Sequence, residues 1–522
     1  MKKSLLLILV CIFASRVVVA QEQSCPVIPM PDQATFAQDH FLLQDNTPII
    51  ANDPALQGTA HSLQKLLLRY TGVRTAIQDK SEQPAIIFQL EKVSNLEGYN
   101  LQMSKKAVVI SAGNETGLFY GAISFLQLAR KFPGKPIPCW NIKDAPLYKW
   151  RGFMLDESRQ FFGKEEVKKI LDEMAFYKLN RFHWHLTDQP GWRIEIKQYP
   201  RLALVGGIGN YHDSIAPAQY YTQQDVAEIV AYAAALHISV IPEIDMPGHA
   251  TAANRAYPQF SGGGSVKHPE FTFNPGKEET YQYLSNILKE VDVLFPSQMI
   301  HIGGDEVSFG NEKWKTDPAV QDLMKRQKLN SLLDVEHYFL KRMADTVVKL
   351  NNSILGWDEV TASALPPGKT IVFWWRHEKK DELKNALEKG YKVVLCPRLP
   401  FYFDFVQDSA ATVGRRWPGN QFNELKSVYD FSLNSLPDNV NRNSPLIEGI
   451  QANLWTETIA SRERMYYLTF PRLIALAEAA WTQPAKKDFV QFQKRLKTAL
   501  PLLKARGIYY FENSKLTPEP VK

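Results

Sequence analysis

The sequence predicts an α/β protein, a (β/α)8 TIM barrel preceded by a small α+β domain. Three observations carry this reading. From Trp150 onward, eight short apolar runs alternate with helix-length stretches, the rhythm of a parallel barrel. Every one of the eight runs ends in polar or aromatic residues, on the face a barrel uses for chemistry. Before Trp150 the texture differs, with two strand-like runs, two amphipathic helices and no catalytic cluster. The doubly wound alternative needs a glycine-rich phosphate turn after its first strand, and the sequence shows none there.

Taken in order, residues 1–20 read as a secretory leader. Lys2 and Lys3 give the basic start, Ser4 to Ala14 the apolar run, and Val18-Val19-Ala20 the small residues before a cut at Gln21. The apolar run is too short for a comfortable membrane span, and no later segment reads as one. The expectation is therefore an exported protein, periplasmic or secreted. The leader holds three basic residues and no acid, which brings the formal net charge of +6 down to about +3. So small an excess does not point to nucleic acid. Cys25, Cys139 and Cys396, odd in number and widely spaced, form neither a disulfide framework nor a zinc pattern.

Residues 21–145 are predicted as the small domain. Its strands are Ala85 to Leu90 and Ala107 to Ile110. Its helices are His61 to Tyr70, stopped by Thr71-Gly72, and Gly117 to Leu128. The proline-rich run Phe132 to Pro138 reads as the linker. The barrel is assigned to 146–485, and a closing helix and tail to 486–522. Its strands are Arg151 to Asp156, Asn180 to His185, Ile238 to Ile244, Met299 to Ile302, Ser353 to Gly356, Thr370 to Phe373, Lys392 to Leu395 and Ile447 to Ala452.

The strand ends supply the candidate site: Asp156 and Arg159; His185 and Asp188; Asp245 and His249; Asp305 and Glu306; Trp357; Trp374 and Trp375; Tyr402 and Asp404; Trp455 and Glu457. His183 and His185 share a strand face and could ligate a metal, but no His-Glu-x-x-His spacing supports this. Barrel packing and hydrogen bonding are the preferred reading, with no metal. Arg159 suits a clamp on vicinal hydroxyls or a carboxylate. Trp357, Trp374 and Trp455 are predicted to wall a pocket, with strand alternation turning Trp375 away.

The adjacency of Asp305 and Glu306 bears on mechanism. Glycosidase carboxyls that work opposite faces of a sugar stand about 5–5.5 Å or about 6.5–9.5 Å apart and usually come from different strands. Two consecutive acids suit another division of labour. One protonates the leaving oxygen while the other holds a nucleophile that the substrate supplies, such as a 2-acetamido group.

These residues resemble glycoside hydrolase family 20, the β-N-acetylhexosaminidases. The resemblance rests on Arg151-Gly152-Phe153-Met154-Leu155-Asp156 through Arg159, His183-Trp184-His185-Leu186-Thr187-Asp188, Pro242-Glu243-Ile244-Asp245 through His249, His301-Ile302-Gly303-Gly304-Asp305-Glu306, Gly356-Trp357-Asp358-Glu359 and Trp455-Thr456-Glu457. It implies an enzyme that removes terminal GlcNAc, and GalNAc as a further candidate, from the non-reducing end of a glycan, without metal or organic cofactor. It implies Glu306 as general acid/base, Asp305 as the partner of the acetamido N–H, and Tyr402 as donor to the acetamido carbonyl. Trp357, Trp374 and Trp455 would enclose the sugar, and Arg159, Asp404 and Glu457 would bind its outer hydroxyls. Asp188 and His249 would also be substrate-binding residues, and Asp245 would support the site.

Overall fold

The computed structural model describes residues 24–93, 95–419 and 421–512. The predicted leader and the last ten residues lie outside this range. Among the described residues, no helix is long and apolar enough to cross a membrane.

The N-terminal unit is a seven-stranded mixed sheet: β1 (Gln33–Phe41), β2 (Pro48–Ile50), β3 (Ala76–Gln78), β4 (Ala85–Leu90), β5 (Tyr99–Met103), β6 (Ala107–Ala112) and β7 (Ile137–Asp144). Their order across the sheet is β1-β7-β5-β6-β4-β2-β3. Two helices pack against it, α1 (Pro54–Thr71) and α2 (Glu115–Lys131). Each starts at a residue whose side chain accepts from the first turn, Asp53 from Ala55 N and Asn114 from Gly117 N. The chain leaves α1 through Gly72 at φ 77°, a left-handed position that suits glycine. The predicted linker is corrected here. Only residues 133–136 turn, and Ile137 onward forms β7, paired antiparallel with both β1 and β5.

The barrel follows, with β8 (Trp150–Asp156), β9 (Arg181–His185), β10 (Ser239–Met246), β11 (Met299–Gly303), β12 (Ser353–Trp357), β13 (Thr370–Trp374), β14 (Lys392–Leu395) and β15 (Ile447–Leu454). All eight pairings are parallel, and β15 closes on β8. The strand interiors are almost wholly buried, which is why they read as continuous apolar runs rather than alternating ones. Alternate residues fill the lumen: Leu355 and Trp357 from β12 meet Ile371 and Phe373 from β13. After the barrel, helix Phe489–Ala505 packs back on the short helix Leu425–Asp430.

Sheet and barrel are joined by buried polar contacts. Arg151 on β8 reaches Glu97 with both Nη atoms at 3.0 Å, and Trp481 Nε1 donates to Asp144 of β7 at 3.0 Å. These contacts lie at the N-terminal ends of the strands and leave the opposite face free.

Candidate active site

The site begins at the end of β11. There the chain turns through Gly303 (φ 67°) and Gly304 (φ 90°), and Glu306 also lies in the left-handed region at φ 55°. A Cβ on Gly303 would stand 1.8 Å from Asp245 Oδ1, so glycine alone lets the β10 carboxylate approach this turn. Glu306 lacks that freedom, and its backbone geometry costs about 1–3 kcal/mol, the kind of strain that surrounding structure must hold in place. Phe309 N donates to Glu306 O at 2.9 Å and fixes the turn. As a result the two acids part company. Asp305 is buried, whereas the Glu306 side chain is about one-third exposed at 32%.

His249, itself left-handed at φ 54°, stands over both acids. Its Nε2 lies 3.5 Å from Asp305 Oδ2 and 3.7 Å from Glu306 Oε2. Its Nδ1 lies 3.0 Å from Asp188 Oδ1. Behind it runs a buried chain across the strand ends. His185 joins Asp188 (2.8 Å) to Glu243 (2.6 Å), and Trp357 Nε1 donates to Glu243 at 2.8 Å. His183 and His301 each lie 3.0 Å from the same Glu243.

This chain sets the charges. Burial opposes ionisation of Asp188, but Arg159 and His249 outweigh it and hold the carboxyl well below its ordinary range. Burial likewise opposes the His249 imidazolium, yet Asp188 and Asp305 push its pKa up to about 9. Burial raises Asp305 to about 7, with His249 pulling the other way and Glu306 adding to the rise. Asp245, behind the glycine turn, is pushed well up by burial and then by Asp305 and Glu243. At neutral pH the acids therefore face a cationic His249 backed by an ionised Asp188.

Aromatic rings form the walls. Trp357, Trp375, Tyr402 and Trp455 line a cavity of about 170 Å³ together with the acids. Trp375 stacks parallel on Tyr402 at 6.1 Å, and Trp357 leans on Trp455 at 5.7 Å. Burial lifts the Tyr402 phenol well above its usual range, so its hydroxyl stays a proton donor. Trp375 Nε1 donates to Glu359 at 3.0 Å, which fixes the ring.

The expectation for Trp374 is corrected. It faces outward with Val372 into the helix layer, and its Nε1 donates to Lys379 O at 3.4 Å. Trp375 takes the pocket position. The cause is strand parity: Leu355 and Trp357 pair in register with Ile371 and Phe373, so the lumen side of β13 continues to Trp375. A larger cavity of about 590 Å³ borders Trp374, but none of Asp305, Glu306 and Tyr402 lines it.

Charged side chains complete the lining. Arg159 pairs with Asp188 at 2.7 Å and Asp156 at 3.3 Å, and its guanidinium lies 5.0 Å over the Trp455 ring. Glu457 lines the cavity and accepts from Arg415 Nη2 at 2.8 Å. Two further expectations change. Asp188 does not reach the cavity: its oxygens are occupied by His249, His185, Arg159 and Gln189 N, so it holds other groups in place. Asp404 is wholly buried and does not line the cavity either; Arg415 does, 3.5 Å from it.

The structure thus brings Glu306, Asp305, Tyr402, Arg159, His249, Trp357, Trp455 and Glu457 to one cavity. Sequence reasoning missed Trp375, Arg398, Phe405 and Arg415, which also line it. Register parity could have found Trp375. Nothing in spacing marks Arg415, which lies in the long polar stretch after β14. Among the described residues, three trios bring possible ligand atoms within 4.8 Å of one another: His183-Glu243-His301, His185-Asp188-Asp245 and Asp245-His249-Asp305. Glu243 is hydrogen-bonded to His185 and the Trp357 indole N–H, with His183 and His301 each 3.0 Å away, so its oxygens are already surrounded.

Comparison with known proteins matches residues 148–484 to glycosyl hydrolase family 20, catalytic domain, and residues 24–145 to domain 2 of the same family. A β-hexosaminidase of Porphyromonas gingivalis is 35% identical over 509 residues, covering 93% of this chain and 64% of that one. The chain therefore spans somewhat less than two-thirds of that relative's length. A β-hexosaminidase of Akkermansia muciniphila is 29% identical, covering 85% of this chain and 91% of its own. Among solved structures, the exo-β-N-acetylglucosaminidase of Vibrio harveyi in complex with N-acetylglucosamine superimposes with a TM-score of 0.86 at 30% identity. The match covers 94% of this chain and 79% of that one.

Proposed function

Since the chain belongs to glycosyl hydrolase family 20, we propose that it is an exo-acting β-N-acetylhexosaminidase, removing terminal GlcNAc, with GalNAc as a second substrate, from the non-reducing end of glycans. The observation that carries this reading is the pairing of two unlike acids under one imidazole. Asp305 is buried with Oδ1 free of any hydrogen-bond partner, and Glu306 reaches toward solvent, beside a small cavity lined by the rings of Trp357, Trp375, Tyr402, Phe405 and Trp455. The relatives named β-hexosaminidase, and the Vibrio structure holding N-acetylglucosamine, support the same choice.

The chemistry follows from these positions. The acetamido carbonyl oxygen attacks C1 while Glu306 gives its proton to the leaving oxygen and the glycosidic bond breaks. Asp305 accepts the acetamido N–H and balances the charge that grows on the oxazolinium ring. Tyr402 donates to the carbonyl oxygen and aligns it. The aromatic walls take the methyl group and the sugar face. Glu306 then takes a proton from water, which adds to C1, opens the ring and restores the acetamide with retained configuration. His249, as imidazolium, stabilises the Glu306 carboxylate left after the first step. The natural chain is a carbohydrate partner, and export to the periplasm or the medium is part of the proposal; a mature N-terminus other than Gln21 would count against that export site.

The test compares 4-nitrophenyl β-GlcNAc with 4-nitrophenyl β-glucoside. Wild type should cleave only the first, because the glucoside lacks the internal nucleophile. Glu306→Gln should lower kcat by about 10²–10⁴. Comparable cleavage of both substrates by wild type would rule out the substrate-assisted route.

A further inference from the structure

One charged part of the pocket is built around Arg415, a residue outside every strand and helix whose side chain is 41% exposed. Its backbone is strapped to the strand-end segment beside it: Arg415 N donates to Asp404 O at 2.7 Å, and Val406 N donates to Arg415 O at 2.9 Å. The preceding Gly414 has φ 119°, and a Cβ there would come within 2.9 Å of Asp404 O. The strap therefore depends on glycine. It delivers the guanidinium between two carboxylates, 2.8 Å from Glu457 Oε1 and 3.5 Å from Asp404 Oδ2. Asp404 is fully buried beneath, while Arg415 and Glu457 line the cavity. Glu457 Oε2 is buried and has no hydrogen-bond partner.

Resting on the hexosaminidase reading, we propose that Arg415, held by Asp404 and Glu457, is the specificity-determining residue that reads the configuration of the sugar hydroxyl opposite the anomeric carbon. On a pyranose ring the C4 substituent lies across from C1. With C1 at Asp305 and Glu306, the proposal puts C4 at Arg415 and Glu457, which line the same cavity. An equatorial hydroxyl there lies near the ring plane and points at both side chains. It accepts from the guanidinium and donates to the free Glu457 Oε2, so both of its hydrogen-bonding roles are used. An axial hydroxyl leaves the ring plane and gives up one of these contacts. A fork-shaped donor fixed by two acids suits this task better than an ammonium would.

The experiment measures kcat and KM for 4-nitrophenyl β-GlcNAc and its C4 epimer, 4-nitrophenyl β-GalNAc, with wild type, Arg415→Ala and Arg415→Lys. Thermal melting serves as the folding control. For Arg415→Ala, kcat/KM on the GlcNAc substrate should fall by about tenfold or more, chiefly through KM, as expected for a lost charge-assisted hydrogen bond. The GalNAc substrate should lose much less, so discrimination narrows. Arg415→Lys keeps the charge near Glu457 and should recover part of the discrimination; it carries the same comparison if the alanine variant melts early. Equal losses on both epimers, a loss confined to kcat, or unchanged discrimination would overturn the proposal while leaving the hexosaminidase reading intact. A wild type that cleaves neither substrate would remove that reading, and this proposal with it.

Discussion

The barrel carries buried charge at both ends and treats it in opposite ways. At the N-terminal end, against the sheet, every N–H of the Arg151 guanidinium has an acceptor: Glu97, the Tyr120 hydroxyl, and the carbonyls of Tyr148 and Lys178. Lys178 donates to the Tyr99 hydroxyl at 2.9 Å and lies 3.4 Å from Asp144, which also accepts from Tyr99 and Trp481. At the C-terminal end, Asp245 Oδ1, Asp305 Oδ1, both Asp404 oxygens and Glu457 Oε2 are buried without hydrogen-bond partners. A buried polar group left unpaired costs about 1–3 kcal/mol. The Arg151 cluster that joins the two units is thus saturated, whereas Asp305 and Glu457, which line the cavity, each keep one acceptor for a donor from something else.

That contrast can be broken most sharply at Asp305. Asp305→Asn should reduce kcat on 4-nitrophenyl β-GlcNAc by about 10²–10³, the scale of losing one preorganised group at the developing charge. Its thermal midpoint should stay close to wild type, since the amide keeps the shape of the side chain and Oδ1 has no hydrogen-bond partner to lose. A variant that melts early yet keeps its turnover would invert the comparison. Arg151→Met should do the reverse. It strips Glu97 and three other acceptors of their donor, and denaturant titration should show a loss of about 3 kcal/mol. Turnover per folded molecule should stay at the wild-type level.

A finer test uses the two adjacent tryptophans. Trp375→Ala should lower kcat/KM by about tenfold, the lower range for losing an apolar pocket contact. Trp374→Ala should change it little and act on stability instead, because its ring packs outward. Equal catalytic losses would place both rings in the pocket. The smallest effect concerns pH. Removing the His249 imidazolium takes away the charge that lowers the Asp305 pKa from the value burial alone would give. In His249→Phe the residual kcat/KM should therefore lose its acid side at a higher pH than in wild type, where burial raises Asp305 to about 7. A pH profile with an unmoved or lowered acid limb would detach His249 from Asp305.

Local pattern carried much of the barrel and failed where register decides. The eight strands were legible because both faces of a parallel barrel strand are covered, which leaves apolar runs such as Ile371 to Phe373 and Val393 to Leu395. The small sheet was legible only in its centre, at β4 and β6. Its edge strand β1 is polar and half exposed, and β7 carries Pro138, so both lack the signal of a covered strand. The acids were legible because adjacency after two glycines is a chemical statement in itself. Trp374 against Trp375 was not, since a one-residue shift in parity exchanges lumen for outer face, and the neighbouring strand sets that parity.

The sequence by itself determined the order of strands, the acid pair, Tyr402, the aromatic ends of β12 and β15, and the family they resemble. These are covalent facts of spacing and residue type. Tertiary structure alone decided that Asp188 serves His249 and Arg159 rather than a ligand. It also decided that Asp404 sits beneath Arg415 and that Arg415 crosses from an irregular segment to meet Glu457 on another strand end. Most of these contacts join residues of different strand ends, and their partners are fixed only when the closed barrel brings its strand ends onto one face.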